Sequence, residues 1–146
     1  MSYLKKRHIV NLLFIILPLI FGLMIYILTD RDTFVSKLFY NLIPFKLPSL
    51  HFKYPVFLFF RSYMCDFFWA VSLESCIGFI LLNCKNQLLI SILISVFVSF
   101  LLEFLQLSGV IFGTFDILDL FFETIAIIMA GLILNCLLWR SKKWKI

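Results

Sequence analysis

Apolar runs of membrane-spanning length alternate with short polar interruptions along this chain. From Ile9 to Leu28 only Asn11, Pro18 and Gly22 interrupt the run. About 20 such residues suffice for a helix to cross the hydrocarbon core of a bilayer. Pro18 is expected to kink that helix, which membrane bundles tolerate. A second, shorter run covers 66–82, with Asp66 placed to cap its N-terminus and Trp69 near headgroup depth. The third covers 88–107 and the fourth 116–138. Asn83 to Gln87 reads as a tight polar turn, making the second and third spans an antiparallel hairpin. Ser108 to Thr114 holds two glycines and no charge, a tight re-entry into the fourth span.

The stretch from Thr33 to Met64 fits neither a span nor an ordinary loop. Phe34, Leu38 and Leu42 share one helical face, with Ser36, Lys37 and Asn41 elsewhere, a pattern suited to a short helix lying in the membrane interface. Pro44, Pro48 and Pro55 break any longer helix, and 54–64 enters the membrane edge or leads into the next span. The expected fold is therefore all-α: one domain over 1–146, an integral membrane bundle of four transmembrane helices with an interfacial helix or loop between the first two.

Composition strengthens this reading. The chain is 63% hydrophobic and 14% charged, against about 45–50% and about 25% for soluble domains. The net charge of +5 does not signal nucleic acid, because the basic residues flank the apolar runs where headgroups lie. Three in the N-terminal tail, four in the C-terminal tail and Lys85 make eight on one face, against five between Arg31 and Arg61. With four spans the termini share a face, and the excess of Lys and Arg there places them in the cytoplasm. No cleavable signal peptide is expected, since the first run is long and lacks a small-residue cleavage site. Cys65, Cys76, Cys84 and Cys136 have no paired spacing, and His8 and His51 stand apart. No metal site and no cofactor is expected from them.

The candidate chemistry lies in the acids. Six of eight sit in or at the ends of apolar runs: Asp66, Glu74, Glu103, Asp116, Asp119 and Glu123. Ionisable groups at membrane depth are costly and point to function. Four spans bring the start of the second, the end of the third and the start of the fourth to one face. Asp66, Glu103, Gln106, Asp116, Asp119 and Glu123 are thus the pocket candidates, with Asn41, Trp69 and Glu74 secondary. Asp116, Asp119 and Glu123 fall at i, i+3 and i+7, a single helical face continued by Ala126 and Ala130. Glu123 is expected about 10 Å deeper than Asp116, and Glu74 about 12 Å deeper than Asp66, giving a funnel. Structural readings compete. Asp116 and Asp119 could cap the fourth helix, Glu103 could be solvated at headgroup depth, and Glu74 and Glu123 could be neutral and hydrogen-bonded inside the bundle. Ser91, Ser95 and Ser99 step by four to Glu103, a seam along which helices can approach closely.

Tyr40 to Pro48 (YNLIPFKLP), Cys65 to Leu73 (CDFFWAVSL), the Glu103 and Gln106 pair and Gly113 to Leu120 (GTFDILDL) occur in this order. Together they resemble the VanZ-like family over nearly the whole chain. The resemblance implies a small multi-pass protein of the bacterial cytoplasmic membrane and cell envelope, and its namesake is associated with resistance to the glycopeptide teicoplanin. Gly113 stands where the family pattern has Arg and Glu123 where it has Asn, so this cluster is more acidic and lacks a carboxylate partner.

Three functions follow. The first is a binding or accessory protein whose acidic pocket takes a lipid-linked or cell-wall component; its partners would be the bilayer, a lipid-linked envelope precursor or an anionic lipid, with homo-oligomerisation open. The second is a proton- or cation-coupled small transporter or subunit using Glu74, Glu103 and Glu123. The third, an enzyme using paired carboxylates, has least support, because no nucleophile elbow, phosphate loop or His-rich metal pattern accompanies them.

Overall fold

The computed structural model describes residues 3–29, 41, 55–82, 84–111 and 115–139. They form four long helices: α1 (Tyr3–Thr29), α2 (Pro55–Ile80), α3 (Gln87–Leu107) and α4 (Ile117–Trp139). No strand occurs among the described residues. Each helix is long and apolar enough to cross a membrane, so this is an all-α, multi-pass bundle as the apolar runs imply. Asn41, helical and exposed, is the one described residue between α1 and α2; the expected interfacial helix otherwise lies outside the described residues.

Side-chain pairings fix the packing. His8 meets Phe79, Ser72 Oγ donates to the Ile15 carbonyl at 2.8 Å, and Phe21 meets Phe68. Partner numbers fall as α1 advances, so α1 and α2 are antiparallel. Cys65, buried, continues the seam with its thiol toward the Gly22 carbonyl at 3.7 Å. α2 packs against each of the other three helices and forms the hub.

The bundle is small and polar inside, large and apolar outside. Its dry core is Ala70, Ala126 and Ile127, with Trp69 and Val96 packed around it. Phe97, Phe100, Phe104, Phe121, Leu89 and Leu93 point outward. That inversion suits lipid, where helices gain nothing by hiding apolar groups and associate through small residues and polar contacts. The buried residues of α3 are Gln87, Ser91, Ser95, Ser99 and Glu103, one per turn and all polar.

Two expectations need correction. The second helix starts at Pro55, not at Asp66; proline fits the first helical turn, where its missing N–H is not needed. Asp66 consequently lies three turns inside α2 and caps nothing. Trp69 lies one turn further along and packs on the dry core. The turn from α3 is as tight as its glycines suggest. Gly109 takes φ +70, Val110 N–H bonds the Leu105 carbonyl and Gly109 N–H that of Gln106, both at 3.0 Å. These are the two bonds of a Schellman cap.

Candidate functional site

Asp116 organises the end of the bundle opposite the termini. It stands one residue before α4 and its Oδ1 accepts the Leu118 N–H at 2.9 Å, a side-chain N-cap. Its Oδ2 accepts the Tyr63 hydroxyl of α2 at 3.2 Å. Its backbone N–H points to Glu103 Oε2 of α3 at 3.4 Å. One residue thereby ties three helices at the same depth, and the capping reading holds for Asp116.

The other acids gather below it. Asp66 from α2 lies within electrostatic reach of Glu103 from α3. Asp119, one turn into α4, feels Asp66, Asp116 and Glu103. Glu123, one turn deeper, feels Asp66, Glu103 and Asp119. Glu103 and Glu123 are each 6% exposed. Ala126 and Ala130 continue the acid face of α4 and are buried, so that face turns inward.

Glu123 is the group left over. Its Oε2 is buried with no hydrogen-bond partner among the described residues, and so is the hydroxyl of Ser99. The Ser99 hydroxyl stands against Glu123 at the margin of hydrogen-bond reach. A buried polar atom without a good hydrogen bond costs on the order of 1–3 kcal/mol, which closer approach of the two groups or a ligand reaching this level would relieve. A metal fit is poor: no group of three or more His, Cys, Asp or Glu among the described residues has a metal-holding arrangement.

An aromatic wall stands beside the acids. Phe59, Tyr63 and Phe122 have ring centroids 4.5 to 5.8 Å apart, and the Tyr63 hydroxyl reaches into the cluster. Tyr63 and Ser99 were not among the sequence candidates. Ser99 had a signal, the four-residue step to Glu103; Tyr63, in an apolar run broken by Arg61 and Ser62, had none.

The remaining candidates fall elsewhere. Gln106 is half-buried, and its carbonyl, not its amide, is engaged, in the Schellman cap. Glu74 does not join the funnel. Its Oε1 and Oε2 accept the hydroxyls of Ser91 and Ser95, each at 2.6 Å. Ala70 and the Ala126–Ile127 pair of the dry core lie between it and the acids in sequence on α2 and α4. Asn41 is exposed. No family model, curated protein or solved structure matches the chain.

Proposed function

We propose that this chain is a VanZ-like protein of the bacterial cell envelope that binds the cationic headgroup of a lipid-linked or cell-wall component. The pocket is the acid cluster, opening on the outer face of the cytoplasmic membrane with the termini in the cytoplasm. One observation carries the reading: carboxylates from α2, α3 and α4 gather around the buried Glu123, whose neighbour Ser99 is at the margin of hydrogen-bond reach. No Lys or Arg side chain joins them among the described residues, and a cationic ligand would supply the complementary charge. An ammonium brings one positive charge and three N–H donors. Its charge suits the carboxylates, its donors suit their oxygens, and the Phe59–Tyr63–Phe122 rings favour a cation.

A deletion strain complemented with the chain tests this. Wild type is expected to restore glycopeptide susceptibility and envelope-stress responses to parental levels; alanine at Glu103, Asp119 and Glu123 together is not. Equal complementation by the triple variant, at equal membrane abundance, contradicts the reading.

A second reading, proton- or cation-coupled transport, is supported by the wholly polar buried face of α3 from Gln87 to Glu103. Proteoliposomes in which Glu103→Gln and Glu123→Gln leave ion flux at the wild-type rate would set that reading aside.

A further inference from the structure

The polar groups at the termini end of the bundle line a second, partly open pocket. A cavity of about 20 Å³ lies there, room for roughly one water-sized occupant. All four helices line it: Asn11 from α1, Glu74 from α2, Gln87 and Ser91 from α3, Asn135 from α4. Glu74 is the one ionisable side chain lining it among the described residues. It is 1% exposed, and among the described residues each of its oxygens takes one serine hydroxyl. A carboxylate offers about four lone-pair sites, so two hydroxyls do not saturate it. Gln87 is locked at the edge, its amide donating to the Gly78 carbonyl. Gly131 keeps the space open: a Cβ there would stand 3.0 Å from Glu74 Oε1 and 3.1 Å from both Ile92 Cγ1 and Leu88 Cδ1.

We infer that this cavity binds one small monovalent cation of sodium's size, held by Glu74 and the hydroxyl and amide oxygens around it. Charge decides the valence. A lone ionised carboxylate inside a membrane is costly; one monovalent ion makes the site neutral, whereas a divalent ion leaves it positive. Donor type decides the chemistry. The polar lining is hydroxyl, amide and carboxylate, without thiol or imidazole, which suits hard cations. Space decides the size, since the recess beside Glu74 has room for about one water-sized occupant. The site is separate from the acid pocket, and nothing in it requires that pocket to bind anything.

Equilibrium binding of radioactive sodium to the full chain in lipid nanodiscs tests it. One ion per chain is expected, not displaced by potassium or choline at equal concentration. Binding should vanish in Glu74→Gln and in Gly131→Ala, while Glu103→Gln and Asp119→Asn keep it, which separates this site from the acid pocket. Thermal unfolding of the wild-type chain needs no variant. Its Tm should rise progressively as sodium replaces choline at constant ionic strength and fixed pH. Absence of bound sodium, binding that survives Glu74→Gln, or a Tm that follows pH but not sodium would each overturn the assignment.

Discussion

Asp116 and Glu123 show how two carboxylates on one helix face take different work. Asp116 has a partner for each oxygen and a defined structural task. Glu123 is buried with an oxygen unmatched among the described residues. Substitution should separate the roles. Asp116→Asn keeps a good capping side chain while removing the charge, so stability in denaturant should change little. Asp116→Ala loses the cap and should destabilise by about 1 kcal/mol or somewhat more, the excess coming from the unpaired Tyr63 hydroxyl. Unfolding of both variants in one detergent checks this; equal loss in the two would mean that charge, not capping, holds the loop. Glu123→Gln should leave stability near wild type or raise it, because a neutral amide is less costly to bury than an unpaired carboxylate. That inward direction was legible beforehand, since i, i+3 and i+7 can share only one face. Which acid would be satisfied was not. It depends on the register of α2 and α3 against α4, and that register brings Tyr63 to Asp116.

The helices were legible to different degrees for physical reasons. α3 and α4 begin within a residue of the expected spans because charged or turn-forming residues border uniformly apolar runs. α2 begins eleven residues early, from 66 to 55, because Pro55 opens a helix whose first turns carry Arg61 and Ser62 and so resemble a loop. The serine step on α3 reads as a packing seam, and so it packs; but two of its hydroxyls also serve Glu74. Glu74 was expected in the funnel on depth alone. It is diverted because Ala70 and Ile127 fill the intervening level. At the α3–α4 turn, Gly109 has φ +70 and open space where a Cβ would go. Gly109→Ala should therefore destabilise through backbone strain alone, by roughly 1–2 kcal/mol, and Gly109→Asn by less, since Asn enters that conformation more readily. Chemical denaturation of the two variants measures the difference; equal losses would point to something other than backbone conformation.

At the scale of the molecule, four antiparallel crossings place polar groups in two layers separated by a thin apolar level. One layer is the acid cluster between Tyr63 and Glu123; the other surrounds Glu74 near the termini. The apolar level is built from few residues, so the bundle depends on buried hydrogen bonds more than on a large dry core. The topology also predicts opposite accessibility for the two inter-helix turns. Cys84 is exposed in the α2–α3 turn, on the face of the termini, and Ser108 lies in the turn on the acid face. In intact cells a membrane-impermeant maleimide should label Ser108→Cys in a chain otherwise free of cysteine, and should label native Cys84 only after permeabilisation. The reverse pattern would invert the bundle and place the acid pocket toward the cytoplasm.

The most direct measurement is native mass spectrometry of the full chain released from nanodiscs holding equal amounts of an ethanolamine-headgroup and a glycerol-headgroup phospholipid. Convergence of the acids on the buried Glu123 predicts preferential retention of the amine-bearing lipid by the wild-type chain. It predicts loss of that preference, with the intact fold, in Asp119→Asn combined with Glu123→Gln. Equal retention of the two lipids by the wild type, or an unchanged preference in the double variant, would contradict a cation-binding pocket at this face.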